Sequence, residues 1–140
     1  MIKHYQKIAV AIDFSKQSMK AFNRAILVAK DNGASIQLVN VIDTKSFGSV
    51  AAYDLEYAEQ LKEESLKKMD GLKNEVVAAG VPIVEVVVKE GTAQEILTEL
   101  PGVELIICGA TGVTNIEKMV IGSVAEQIVR LATCDVQLVR

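Results

Sequence analysis

Short apolar runs alternate with longer stretches of helical periodicity along this chain. The runs occupy residues 8–12, 36–42, 81–88, 103–108 and 136–139, and they are rich in β-branched side chains. Nearly continuous apolar runs of this kind are typical of strands in a parallel sheet with helices on both faces. The pattern therefore predicts five buried strands.

Helical periodicity fills the intervals between these runs. An apolar stripe over residues 21–29 predicts a first helix that stops at Gly33. A longer stripe over residues 55–79, with apolar residues three or four apart, predicts a second helix that Gly80 and Pro82 end. Both helices are therefore long enough to cross from one strand to the next.

Two later helices begin with the same short signal. Thr92-Ala93-Gln94-Glu95 and Ser123-Val124-Ala125-Glu126 both fit the capping box, in which a hydroxyl and an acid three residues later satisfy free amides. The third helix should stop before Pro101, and the fourth should run through Leu131. The order of elements is therefore β-α-β-α-β-α-β-α-β.

This alternation predicts one α/β domain over residues 1–140. Right-handed crossovers give a doubly wound, five-stranded parallel sheet of order 3-2-1-4-5, a Rossmann- or flavodoxin-like three-layer sandwich. Ligands of such sheets bind at the carboxyl ends of the strands where the strand order reverses, here between strands one and four. Residues 11–15 and the segment from Gly109 onward should therefore form the site.

A glycine-rich segment begins at that point. Gly109 and Gly112 follow the fourth strand, and Gly122 precedes the helix that starts at Ser123. Glycines admit φ > 0 and let backbone amides approach an anion, and a helix N-terminus adds free N–H groups. Ordinary loop glycines and a helix cap would explain the same residues one by one. The combination predicts a nucleotide phosphate site, although the spacing fits neither the Walker pattern nor G-x-G-x-x-G.

The composition argues against nucleic acid and membranes as binding partners. Half of the residues are apolar, 24% are charged and the net charge is -3, which indicates a folded domain without general attraction for nucleic acid. No apolar run reaches the length of a membrane span, and the first residues do not resemble a signal peptide, so we expect a cytoplasmic protein without a membrane partner.

The sequence offers little for catalysis or for a resident metal. His4 is the only histidine, and Cys108 and Cys134 are too far apart for a redox pair or a zinc pattern, so we expect reduced, inert thiols and no metal site. The absence of Trp and an aromatic content of 4% argue against a flavin carrier.

The spacing G-x2-G-x9-G-S closely resembles the ATP-binding branch of the universal stress protein family. The resemblance covers essentially the whole chain, and the glycine motif is its specific part. Further matching segments are residues 10–15, 39–41, 114–115 and 134–140.

The resemblance implies a role for three residues at the nucleoside end of the ligand. Asp13 would accept hydrogen bonds from the ribose or base, and Val41 would pack on adenine. Ala11 would lie at a backbone contact where many members have proline. From the residues alone, Asp13 could equally be a turn or cap residue and Val41 plain core.

At the other end, the resemblance implies that the backbone of the loop holds the ribose and phosphates, at Gly109, Gly112, Gly122, Ser123 and Val124. Thr114 and Asn115 would shape the loop. Ala110 and Val113 replace polar or basic residues of many members, which leaves nucleotide preference open. Mg²⁺ would be bound through the phosphates, since no cluster of acids surrounds the loop.

These inferences predict an ATP-binding regulatory protein of the stress-response type, not an enzyme beyond very slow hydrolysis. The expected assembly is a homodimer that pairs the last strand, with Val136, Leu138 and Val139 in the interface. Two alternatives remain: a slow ATPase or phosphotransferase, for which only Lys118 and Lys16 offer positive charge, and a dimeric interaction module with an empty loop.

Overall fold

The computed structural model describes residues 4–43, 51–111 and 121–140, with the backbone alone at 51–55. Five strands are present: β1 (Lys7–Ala11), β2 (Ser35–Ile42), β3 (Val84–Glu90), β4 (Leu105–Gly109) and β5 (Asp135–Val139). Four helices connect them: α1 (Lys16–Asn32), α2 (Ala51–Ala78), α3 (Ala93–Thr98) and α4 (Ser123–Leu131). None of the helices in the described ranges is long and apolar enough to cross a bilayer.

All five strands form one parallel sheet of order β3-β2-β1-β4-β5. This confirms the predicted topology. β1 lies between β2 and β4, and the chain leaves it toward β2 and later returns on the other side to form β4. The strand order therefore reverses beside β1, which leaves a crevice at the carboxyl ends of β1 and β4.

The sheet buries both faces because the strands are apolar at successive positions. On one face Ile8 and Val10 belong to a core cluster completed by α1 and α2. On the other face Ala9 and Ile106 pack with residues of α3 and α4. Side chains of successive strand residues point to opposite faces, so each run contributes to both clusters.

The ends of α1 follow from local chemistry. The Ser15 side chain accepts a 3.1 Å hydrogen bond from the amide of Ser18, which caps the first turn. Gly33 adopts φ 65°, a left-handed conformation that ends the helix at the predicted stop.

Both predicted capping boxes are wrong. Thr92 is the N-cap of α3, but its side chain makes no cap hydrogen bond. At α4 the N-cap is Gly122, so Ser123 is already helical. The Glu126 carboxylate is held by Arg130 at 2.7 Å, one turn later, and does not reach back to the N-terminus. Within the part of the chain that the structure describes, the first turn of α4 is therefore without a side-chain cap.

The third strand begins later than predicted. The pattern placed its start at residue 81, whereas the ladder with β2 starts at the pair Ile36 and Val84. The amide of Val81 donates to Val76 at the end of α2, and Pro82 has no N–H to contribute to a ladder.

Candidate nucleotide site

A cavity of about 500 Å³ opens at the carboxyl ends of β1, β2 and β4. Its described walls also include the first turns of α3 and α4. Seven of the residues predicted from the sequence line it together: Ala11, Asp13, Val41, Gly109, Gly122, Ser123 and Val124. The other three, Gly112, Thr114 and Asn115, lie outside the described residues. The fold thus brings positions more than 100 residues apart to one place.

The cavity has a wall that the sequence reasoning missed. Asp43, Thr92 and Gln94 also line it. Asp43 follows β2, and Thr92 follows β3 after one residue. Polar residues directly after a predicted strand were the available signal, because the ends of parallel strands meet at one edge of the sheet.

Asp13 shapes a tight turn between β1 and α1. Its Oδ1 accepts a 2.9 Å hydrogen bond from the amide of Ser15, and its own amide donates to Oγ of Ser18 at 3.3 Å. Oδ2 has no hydrogen-bond partner among the described residues. Asp13 is therefore both a turn residue and an exposed carboxylate at the cavity.

Asn40 fixes the end of β1 from the neighbouring strand. Its buried Nδ2 donates a 2.7 Å hydrogen bond to the carbonyl of Ile12, directly before Asp13. The amide of Ile12 donates in turn to Val39 at 2.8 Å. The backbone that leads into the Asp13 turn is consequently anchored by both of its hydrogen-bonding groups.

Gly109 also has a packing role that the sequence did not predict. A Cβ on Gly109 would lie 2.9 Å from the Cβ of Gln17 and 3.1 Å from its carbonyl carbon and oxygen, on the α1 side. Its φ lies outside the left-handed region. The expectation of φ > 0 is also wrong at Gly122, which has φ -64° and ψ 155°. Gly109 is therefore required for close helix–strand packing, and Gly122 has an ordinary extended backbone.

The N-terminus of α4 is suited to an anion. The amide of Gly122 donates to Ala110 at 2.7 Å, which ties the start of the helix to the end of β4. Ser123, Val124 and Ala125 form the first turn and line the cavity, and no side chain of the described residues caps them. Free amides and the positive end of the helix dipole favour a phosphate there.

Part of the cavity lining is apolar. Val39 and Leu97 are buried there, and Val41 and Ala93 are partly buried beside them. Apolar residues of β2 and α3 thus line a part of the cavity that suits an uncharged group. Val41, the predicted packing position, belongs to this part and also packs against the core cluster.

Charge at the described walls is negative. Asp13 and Asp43 are the charged side chains among the described lining residues. Cys108 also lines the cavity, and burial raises the pKa of its thiol to about 11, so the thiol is neutral at physiological pH. Within the described ranges no three His, Cys, Asp or Glu residues cluster as metal ligands.

Similarity to known proteins identifies the family of this chain. The model of the universal stress protein family matches residues 4–140. The chain belongs to the universal stress protein family. A universal stress protein of Staphylococcus haemolyticus is 38% identical over 141 residues, covering 97% of this chain and 85% of the relative.

Solved structures of the family share the fold. The universal stress protein UspA of Lactobacillus plantarum superposes with a TM-score of 0.83 at 25% identity, over 99% of this chain and 100% of that one. A universal stress protein in complex with cAMP has a TM-score of 0.68 at 22% identity, over 99% and 98% of the chains. One from Archaeoglobus fulgidus in complex with dAMP has a TM-score of 0.65 at 16% identity, over 99% and 100%.

Proposed function

We propose that this protein is an ATP-binding regulatory protein of the universal stress response, with the nucleotide in the cavity between β1 and β4. The observation that carries the proposal is the first turn of α4, which no side chain of the described residues caps and which opens into a cavity with a partly apolar lining. A phosphate fits the N-terminus of α4, and a nucleotide base fits the apolar lining. The cAMP and dAMP complexes of two universal stress proteins support a nucleotide of the adenine class.

The proposed nucleotide has one orientation in the cavity. Adenine packs between Val41 and Leu97, and the ribose hydroxyls donate to Oδ2 of Asp13. The phosphates then accept hydrogen bonds from the amides of Ser123 and Val124 at the start of α4. This orientation keeps the negative phosphates at the helix N-terminus and places the Asp13 carboxylate where it accepts hydrogen bonds.

Mg²⁺ is proposed as a companion of the phosphates. A divalent ion bound mainly through phosphate oxygens and water needs few protein ligands. It would also offset the charge of Asp13 and Asp43 near the nucleotide.

We infer that the protein binds ATP without rapid turnover. Phosphoryl transfer requires positive groups fixed on the γ-phosphate and an oriented nucleophile. The described walls offer amides at that end, which stabilise a bound phosphate in ground and transition states alike. Slow hydrolysis remains the enzymatic alternative.

The proposed assembly is a cytoplasmic homodimer through β5. β5 is an edge of the sheet, and its Val136 and Leu138 are only partly buried in the single chain. Antiparallel pairing across a two-fold axis would satisfy the outer backbone groups and cover both side chains. Val139 is buried in the core at 5% exposure, so its backbone alone is available for the pairing.

Nucleotide release tests the function directly. Protein purified without added nucleotide is denatured, and the supernatant is examined for adenine nucleotides by chromatography and mass spectrometry. Calorimetry on nucleotide-stripped protein then compares ATP, GTP and free triphosphate with and without Mg²⁺. Tighter binding of ATP than of GTP supports the proposal, whereas a folded protein that binds no adenine nucleotide rejects it and leaves the interaction module.

A further inference from the structure

A distant helix contacts the turn that carries Asp13. Phe14, the next residue, has φ 64°, a left-handed conformation that bulky side chains rarely adopt. Its ring is partly buried against the core cluster on the α1 and α2 face. The Nζ atom of Lys68 on α2 lies 4.9 Å from the centre of that ring. Contacts from α2 therefore favour a backbone conformation that Phe14 disfavours by itself.

The conformation of Phe14 determines where the Asp13 carboxylate points. The hydrogen bond from the Ser15 amide to Oδ1 of Asp13 spans Phe14 and closes the turn around it. If φ of Phe14 returned to a negative value, the Ser15 amide would leave Oδ1, and the carboxylate would lose its fixed direction. The backbone before Asp13 is already fixed by Asn40, so Phe14 is the movable side of the turn.

We propose that Lys68 is a positioning residue for the nucleoside end of the site. Its ammonium group attracts the face of the Phe14 ring, stabilises the left-handed turn, and so holds Asp13 in the direction that accepts ribose hydroxyls. Lys68 itself does not line the cavity. The inference rests on the proposed function in that Asp13 contacts the nucleoside. Because coupling between sites is reciprocal, a bound nucleoside also strengthens the contact between α2 and the turn.

Three variants separate the charge of Lys68 from its other contributions. Lys68→Met retains an unbranched apolar chain and removes the charge. Lys68→Arg retains a cation that can stack on a ring. Lys67→Met is the control, because it removes the neighbouring exposed charge of α2. An exposed cation–π contact corresponds to roughly a 2- to 5-fold change in an equilibrium constant. We expect Lys68→Met to weaken adenosine binding by that factor and to leave tripolyphosphate binding unchanged, with Arg restoring the affinity and Lys67→Met having no effect.

A double-mutant cycle tests whether Lys68 acts through Asp13. In an Asp13→Ala background the Lys68→Met change should have no further effect on adenosine affinity. A merely structural role would lower the melting temperature and weaken both ligands by the same factor. An effect of Lys68→Met that is equally large without Asp13 would overturn the proposal.

A measurement without ligand keeps this inference separate from the proposed function. Hydrogen exchange of the Ser15 amide, followed by NMR, reports opening of the turn and should be roughly 2- to 5-fold faster in Lys68→Met but unchanged in Lys67→Met. If the parent binds ATP but neither exchange nor affinity responds to Lys68→Met, the positioning role is rejected and the function stands. If the parent binds no adenine nucleotide, the function fails, and Ser15 exchange alone decides whether Lys68 holds the turn.

Discussion

Gly109 at the end of β4 lies in direct contact with Gln17 in the first turn of α1. A Cβ atom on Gly109 would lie 2.9 Å from the Cβ of Gln17 and 3.1 Å from the Gln17 carbonyl group. The carbonyl belongs to the helix backbone, which cannot rotate away as a side chain does. The glycine therefore sets the distance between β4 and α1.

Gly109→Ala should consequently lower the free energy of unfolding, by roughly 1–3 kcal/mol as is usual for an overpacked contact. Gly71→Ala is the control, because Gly71 lies within α2 with open space around its Cβ position. That change should stabilise the protein by up to about 1 kcal/mol through helix propensity. The free energies of unfolding of both variants are measured by denaturant titration. If Gly109→Ala were as stable as Gly71→Ala, α1 would have moved to accommodate the added methyl group.

Gly122→Asp should abolish ATP binding while the fold remains stable. Gly122 is the N-cap of α4 in an extended conformation that any residue adopts, and aspartate is among the best N-cap residues. Its carboxylate would occupy the first-turn amides and repel the phosphates. Calorimetry should show no ATP binding for Gly122→Asp and weaker but detectable binding for Gly122→Asn, which is similar in size but uncharged. Unchanged ATP affinity in a folded Gly122→Asp protein would remove α4 from the site.

Asp13→Ala should weaken adenosine-containing ligands by about 1–3 kcal/mol, the usual cost of losing a hydrogen bond to a charged group. The binding of free triphosphate should be weakened by less. Because Oδ1 also closes the turn with Ser15, the informative partner is Asp13→Asn, which retains an oxygen acceptor for that amide. Equal losses for adenosine and triphosphate in both variants would mean that Asp13 maintains the turn without contacting the nucleoside.

Leu138→Lys should convert the proposed homodimer into a folded monomer, since it places a charge on the edge strand where the two chains would pair. Leu27→Lys is the matched control, because Leu27 is 61% exposed on α1 and lies on no sheet edge. Sedimentation at micromolar concentration should give a dimer for the parent and the control. A monomeric parent would exclude the proposed interface.

Cys108 should resist alkylation in the native protein. Burial raises its pKa from 9.0 to about 11, so between pH 7 and 8 its thiolate fraction is roughly 100-fold lower than that of an unperturbed thiol. Since the folded pKa is the higher one, the neutral thiol contributes stability below pH 9, and this contribution is lost as the pH rises through about 11. Mass spectrometry after iodoacetamide treatment at pH 8 should find Cys108 modified only after unfolding, and rapid native modification would contradict its burial.

The sequence alone determined the architecture. Five apolar runs and the helical stripes between them predict the parallel sheet and its order, because crossover handedness leaves few arrangements of such a pattern. The same order placed residues 11–15 beside Gly109, and residues 11–13 line one cavity with Gly109. Element ends depended on side-chain competition that spacing does not reveal, as when Arg130 engages Glu126 in place of a capping box.

Tertiary structure alone decided what individual residues do within that frame. The sequence suggests that Gly109 spares room for a phosphate, but the direction of its absent Cβ, toward Gln17, depends on how α1 packs on β4. Likewise Phe14 and Lys68 lie 54 positions apart in the sequence, and neither the left-handed turn nor the cation above the ring follows from local pattern. Periodicity specifies which face a residue occupies, whereas contacts across the core depend on the packing of whole elements.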